Sequence, residues 1–500
     1  MTTSRQALPR ETDQQTGQQT GQQTAQQTDQ ETRQETGRDV GRAYGFIAIC
    51  LGYFMVIMDA TAVNLSLPRL GHELGAGLGV LQWVIDGYTL TFAALLLSAG
   101  SLGDRLGATD VFVAGLCVFA VASAACGLAP SAGALVAARF AQGIGAAVLV
   151  PASLALLRAS FPDRGARARA IGIWGGIAGV AAASGPVIGG ALTEAVSWRV
   201  VFFVNVPIAA LALPLTLRYV VRPPGRGGRR LDPIAQLTAI GGLGVFTFGL
   251  IEARTRGWDA PLVLGAFAVA VLLCALFMVA ERRATSPMLP PELFSRPDLR
   301  GRARRAFPGG NVVGLLINLG CYGQLFVISL YLQDARHYDA LHAGLAILPE
   351  GVCVSLASFL SGRFTARWGT RPTMLIGLII GSAGNFGLAF AGSHTAYGLL
   401  VVPLMAAGFG MAFTMPATTT TVVEAAPARH TGVASGAINA SRQVGTTIGV
   451  ALLGTLAGQV SAQAVSGTHA AMAAAGAAFL LGALVTAFTV PRLAEPGEAA

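Results

Sequence analysis

Three acidic side chains interrupt long apolar stretches of this 500-residue chain: Asp59, Asp86 and Glu350. One arginine, Arg139, does the same between Ala138 and Phe140. Ionisable groups are costly in such surroundings and mark functional positions. Burial raises a carboxyl pKa and a nearby cation lowers it, so a buried acid beside a cation can exchange protons against charge. The chain contains no Lys, so all 34 basic residues are Arg, which does not deprotonate in proteins. The six His residues fall in or near predicted loops. A proton carrier inside the apolar blocks would therefore be a carboxylate. Asp59, Asp86 and Glu350, with Arg139, form a candidate site for a proton, a cation, or both in competition. Plainer readings remain for each. Asp59 could sit in a helix–helix hydrogen bond, and Asp86 could be a solvated acid at the membrane surface beside Trp83. Arg442 with Gln443 reads as a packing and hydrogen-bonding pair.

The elements that must position these groups are membrane helices. The chain is 53% hydrophobic and 12% charged, with mean hydropathy +0.59, whereas soluble domains are about a quarter charged. A bilayer crossing takes about 20 mostly apolar residues. Blocks of that kind occupy 43–65, 80–102, 110–128, 132–157, 170–193, 198–219, 234–252, 260–281, 308–332, 342–364, 373–392, 395–421, 434–458 and 469–491. The expectation is an all-α polytopic membrane protein of fourteen helices. The 64 glycines suit close packing of membrane helices. Cys50, Cys117, Cys126, Cys274, Cys321 and Cys353 lie inside the apolar blocks without metal-ligand spacing, so no disulfide framework or metal site is expected.

Residues 1–42 are different in kind. QQTG-like tetrads with almost no apolar side chains predict a disordered tail, and no secretory signal pattern is present. With the amino terminus placed in the cytoplasm, 27 arginines fall in inner segments. Five fall in outer loops (Arg69, Arg199, Arg254, Arg256 and Arg336), and Arg139 and Arg442 lie inside helices. That bias predicts both termini inside a bacterial cytoplasmic membrane. It also explains a pI of about 9.7 without nucleic acid. Helical rise then puts Asp59 roughly 24 Å from the inner end of its helix, and Asp86, Arg139 and Glu350 roughly 9–12 Å below the outer surface. The four are expected to cluster.

A repeat divides the chain. Gly100-Ser-Leu-Gly-Asp104-Arg105-Leu-Gly107 follows helix 2, and Gly362-Arg-Phe-Thr-Ala366-Arg367-Trp-Gly369 follows helix 10. Two related six-helix halves, 43–219 and 308–491, are expected. The linker 220–307 carries two inserted helices, and 492–500 forms a tail. Paired repeats of six helices are a plan of secondary transporters.

Five motifs extend this. They are Met58-Asp59-Ala-Thr61-Ala-Val-Asn64-Leu-Ser-Leu-Pro68, the Gly100–Gly107 loop, and Arg139-Phe-Ala-Gln142-Gly143-Ile-Gly145. The others are Gly185-Pro186-Val-Ile-Gly189-Gly190 and Trp198-Arg199-Val-Val-Phe-Phe-Val-Asn205-Val-Pro207. Together the sequence resembles the major facilitator superfamily, in its fourteen-helix branch of drug:proton antiporters. It departs where Ala108, Thr109 and Asp110 replace the usual basic residues after the loop motif.

The resemblance implies Asp59 as coupling or substrate acid with Arg139 as its partner. It implies an outer-mouth acid at Asp86, with Trp83, Tyr88, Asn64 and Gln142 as pocket candidates. Gly100, Asp104, Arg105 and Gly107 would form a cytoplasmic gate, and Gly185, Pro186, Gly189 and Gly190 an antiporter motif. Glu350 has no counterpart motif. Asp104 could instead cap helix 3. Function is expected to be proton-coupled export of a drug or antibiotic, without cofactor, nucleic-acid partner or enzymatic activity. The proton gradient would supply the energy, because no ATP-binding loop is present. Uptake symport of a small organic solute on the same fold is the alternative, with a non-transporting sensor behind it.

Overall fold

The computed structural model describes residues 11–161, 163–222, 233–284, 290–294, 301–427, 430–458 and 465–491. The side chains of 11–39 and of some helical positions, Gly100 and Asp104 among them, lie outside the described set.

Fourteen long helices make up the described chain. They are α1 Glu11–Leu74, α2 Leu78–Leu106, α3 Ala108–Gly127, α4 Ala132–Ser160, α5 Arg164–Ala195 and α6 Trp198–Tyr219. Then come α7 Pro233–Arg256, α8 Pro261–Arg283, α9 Gly301–Leu330, α10 Ala340–Trp368, α11 Thr370–Leu388, α12 Tyr397–Ala425, α13 Thr431–Ala457 and α14 Ser466–Thr489. All fourteen coincide with the predicted blocks. Twelve are long and apolar enough to cross a membrane. The other two, α11 and α13, carry Arg371 and Arg442 and more polar residues; α13 exposes no described side chain, whereas α11 keeps an outward face of Ile376, Ile379 and Phe386.

Local chemistry explains where helices start and stop. Ser131, Asp163, Ser197 and Asp339 accept hydrogen bonds from the first turns of α4, α5, α6 and α10, satisfying donors that have no helical acceptor. At Asp339 the His342 backbone N–H, at 2.7 Å, holds the carboxyl below its usual range. α6 is broken into Trp198–Phe203 and Asn205–Tyr219. Pro207 lacks the N–H that Phe203 would accept from, so the ladder fails there. α9 runs on into a π-turn, Tyr331–Ala335.

The backbone from Glu11 is helical and continuous with the membrane part of α1. Nucleation is the costly step in helix formation. A membrane helix supplies that nucleus, and the Gln- and Thr-rich tail contains no Pro from Glu11 to the start of the apolar block.

The first repeat packs α1 on α5 and α6, and α2 and α3 on α4; the second packs α9 on α13 and α14, and α11 on α12. The repeated loops end alike. Gly107 (φ 97°) and Gly369 (φ 88°) each close one helix and open the next. Their N–H groups bond Gly103 O at 3.1 Å and Thr365 O at 2.8 Å. Positive φ at both places selects Gly. The inserted pair docks through α7, which touches both α2 and α13. There the Thr455 hydroxyl donates to Leu250 O at 3.0 Å.

The halves meet along α5–α10 and α2–α13. Lipid offers helices little hydrophobic incentive to associate, so close packing of small residues must hold them. Gly190 lies against Ala340 O, and a Cβ at Gly344 would stand 2.6 Å from Pro186 O. A Cβ at Gly351 would stand 2.7 Å from Ala183 Cα. Toward the α5 start the contact ends. Gly172, Gly175 and Gly176, like Gly362 on α10, have nothing within 4 Å of a built Cβ. The two helices touch near the α9–α10 turn and splay toward the α10–α11 turn.

Candidate functional site

Asp59 is fully buried at 0% exposure, as is Arg139. Arg139 Nη1 donates to Asp59 Oδ2 at 2.6 Å and to Gln142 Oε1 at 2.7 Å. Its Nε donates to Val84 O at 2.8 Å. Gln142 Nε2 and Asn205 Nδ2 both donate to Asp59 Oδ1 at 2.9 Å. Both also donate to Ser123 Oγ, at 3.2 and 3.0 Å, and that hydroxyl donates to Phe202 O at 2.8 Å. The Tyr88 ring lies 4.3 Å under the guanidinium, and its hydroxyl donates to Val56 O at 3.2 Å. Five helices, α1, α2, α3, α4 and α6, thus converge on one ion pair. Burying two charges is costly unless their remaining polar atoms are satisfied, and this shell satisfies both carboxylate oxygens.

Helix registry builds the shell. Arg139 and Gln142 are three residues apart, so both lie on one face of α4. The break in α6 frees Asn205 to turn inward at the start of the second helical segment. Sequence reasoning singled out Asp59, Arg139, Tyr88 and Gln142. It quoted Asn205 only within a motif and did not consider Ser123. A polar residue next to a Pro-broken stretch of an apolar block was the available signal for Asn205; nothing singled out Ser123.

Of the four groups expected to cluster, Asp59 and Arg139 are bonded to each other. Among the described residues, no ion pair or hydrogen bond joins Asp86 or Glu350 to the Asp59–Arg139 pair. Helical depth alone places residues at a level but not on a face. Asp86 is fully buried, and among the described residues neither carboxyl oxygen has a hydrogen-bond partner. It lies on the α2 stretch that meets α13, where Thr447 and Thr89 hydroxyls are 3.0 Å apart. It is thus not a solvated acid at the surface. Glu350 is buried in the second half. Gln324 Nε2 of α9 lies 3.5 Å from its Oε2, and a Cβ at Gly408 of α12 would stand 2.7 Å from its Cγ.

Two pocket candidates also sit elsewhere. Trp83 packs on Phe140 and against the cluster of Leu250 and Ile251 of α7 with Ala451 of α13, so it anchors the inserted pair. Asn64 donates within α1 to Ala60 O at 3.3 Å, and its own carbonyl accepts the Ser329 hydroxyl at 2.8 Å.

In the Gly-Pro motif, Gly185 lies against Thr61, Gly189 against Ala62 O, and Gly190 against Ala340 O. One helix face therefore meets α1 and α10 together, beside Pro186. Gly107 makes the turn and Arg105 is exposed. The surroundings of Gly100 and the Asp104 side chain are outside the described set, so the gate reading finds no geometry there. At the rim, Glu73 accepts Trp198 Nε1 at 2.8 Å and pairs with Arg199 at 3.3 Å, which ties α1 to α6.

A charged pair sealed inside a bundle of membrane helices, with two halves meeting along glycine seams, defines a multi-pass membrane transport fold. The chain matches the model of the Major Facilitator Superfamily over residues 49–291 and 310–499 and belongs to that family. Its relatives carry resistance names. The methylenomycin A resistance protein of Streptomyces coelicolor is 36% identical over 437 residues, covering 87% of this chain and 90% of its own. The protein of the same name from Bacillus subtilis is 36% identical over 440 residues, covering 88% and 92%. The multidrug resistance protein Stp of Mycobacterium tuberculosis is 37% identical over 410 residues, covering 82% and 75%. The crystal structure of the human organic anion transporter MFSD10 (TETRAN) superposes with a TM-score of 0.59 at 16% identity, over 89% of this chain and 99% of that one. At that identity it speaks for the fold alone.

Proposed function

We propose that this protein exports a drug or antibiotic across the bacterial cytoplasmic membrane in exchange for protons, by alternating access. The observation that carries the reading is the sealed Asp59–Arg139 pair with Gln142 and Asn205 on the carboxylate. Protonation of Asp59 removes the negative partner. The guanidinium then keeps Gln142 Oε1, Val84 O and the Tyr88 face, and the α1–α4–α6 packing loses its strongest tie. A proton at this one carboxyl is therefore linked to the arrangement of helices in the first half. α1 meets α5 through Gly185 and Gly189, and α5 meets α10 through Gly190, which gives the change a route to the seam between halves.

With both termini cytoplasmic, the splayed end of α5 and α10 faces the cytoplasm and the glycine seam closes the outside. This is the state that would accept substrate from within. Proton-coupled export predicts that expression in an efflux-deficient host raises tolerance to a panel of antibiotics and dyes. It also predicts drug-induced proton release in proteoliposomes, abolished in Asp59→Asn. Substrate accumulation inside cells would favour uptake symport instead, and undiminished proton release in Asp59→Asn would remove Asp59 from the coupling role.

A further inference from the structure

A second cation within a membrane helix, partly exposed, lies outside the Asp59 network. Arg442, eleven residues past the start of α13 (442 − 431), is about 16 Å along that helix. Its Nη1 donates to Asn439 Oδ1 of its own helix at 3.3 Å, and its Nε is buried without an acceptor. Among the described residues no carboxylate pairs with it. A Cβ at Gly314 of α9 would stand 2.5 Å from Ile438 Cδ1 and 3.4 Å from Arg442 Cγ, so that glycine makes room chiefly for Ile438 and brings α9 alongside the arginine stem. Tyr53 of α1 and Tyr322 of α9 are within electrostatic reach of the guanidinium.

Tyr53 stacks on Trp174 of α5, with centroids 3.9 Å apart and planes 11° from parallel. Trp174 Nε1 is likewise buried without an acceptor. Tyr53, Trp174, Tyr322 and Arg442 all keep partial exposure, and Trp174 sits between Gly172 and Gly176, on the splayed end of α5. The groups come from four helices and from both halves. What they offer is donors and aromatic faces, with no carboxylate. Arg139 has its acid built in; Arg442 does not. A desolvated cation lacking a counter-charge is costly, and an incoming oxyanion relieves that cost with charge-assisted hydrogen bonds.

We propose that Arg442, Trp174, Tyr53 and Tyr322 form a substrate subsite for an aromatic carboxylate, with the guanidinium on the carboxylate and the Tyr53–Trp174 stack against the ring. The proposal deepens the export reading and rests on it for the role of the cleft. It departs from a cationic substrate: the Asp59 carboxylate is already occupied by Arg139, and the unpaired charge near the splayed end is positive.

The test is equilibrium dialysis of the purified full-length protein with labelled 2-naphthoate and, separately, its uncharged methyl ester. The wild type is expected to bind the acid at least about tenfold more tightly than the ester, a difference of about 1.4 kcal/mol. Arg442→Gln should erase that preference while leaving ester affinity unchanged, and Arg442→Lys should keep part of it. No preference in the wild type, or full naphthoate affinity in Arg442→Gln, overturns the proposal. If Arg442→Gln binds neither compound, Arg442→Lys decides: a retained preference supports the subsite and a lost one overturns it. Binding is read without a gradient or turnover. Failure of the Asp59→Asn proton experiment would therefore strike the coupling reading and leave this result standing.

Discussion

At Asp59 a single negative charge is held by one guanidinium and two carboxamides. Removing one member of a buried pair leaves the other uncompensated and costs about 3–5 kcal/mol, far more than the net worth of the pair. Asp59→Asn is therefore expected to lower the melting temperature of the purified protein, and Arg139→Gln to do the same. The double variant should recover part of the loss, because no bare charge remains. Strictly additive losses would mean that the two side chains are not coupled. Asn205→Ala removes a neutral donor and should cost less, about 1–3 kcal/mol, with transport weakened more than folding. The ionisable members of this site were legible in the sequence because a charge inside an apolar block is rare. Asn205 and Ser123 were not, since uncharged polar residues are scattered through every helix. Which of them meets Asp59 depends on the α6 break and on rotation about each helix axis. The same ambiguity applies to Asp86 and Glu350, which among the described residues make no hydrogen bond or ion pair to the Asp59–Arg139 pair.

Among the elements, the number and order of the helices were readable from apolar length, but several ends were not, such as Glu11 and Leu74 of α1, Arg164 of α5 and Gly301 of α9. What pattern could not supply was the use made of particular glycines. Gly369 stands at φ 88° and ψ 170°, a region that a residue with a Cβ enters at a cost of about 1–3 kcal/mol. Gly369→Ala should therefore lower the melting temperature, whereas Gly362→Ala, within the same repeat and with nothing within 4 Å, should be neutral or mildly stabilising. Equal effects at the two positions would show that the turn tolerates a side chain. Gly190 raises a different issue, because its close neighbour is backbone of the other half, at Ala340. A methyl group there cannot be relieved by a rotamer change. Gly190→Ala should push α5 and α10 apart and shift the protein away from the arrangement described. The check is thiol labelling of a cysteine placed at Ala183, beside Gly351; it should label faster in the Gly190→Ala background.

For the whole molecule, the two seams between the halves carry the argument about motion. One is the glycine contact of α5 with α10. The other joins α2 to α13, where Gln82 Nε2 donates to Val450 O and Ala451 O at 3.2 and 3.0 Å. Near it, the Thr89 and Thr447 hydroxyls are 3.0 Å apart. Internal repetition made two halves legible, but sequence alone did not reveal which helices face each other across them, nor that α7 wedges against this same α2–α13 seam. If the halves rock about a central site, the second seam must open in each cycle. Cysteines replacing Thr89 and Thr447 are well placed to cross-link when they meet. Oxidation should then arrest drug accumulation in inside-out vesicles, where export from the cytoplasmic face runs into the lumen, and a reductant should restore it. Each single variant, lacking a partner thiol at the seam, should be insensitive to the oxidant. Export that continues with the cross-link fully formed would mean that α2 and α13 move as one body. The cycle would then have to run entirely through the α5–α10 seam, where the sealed pair at Asp59 is connected through α1.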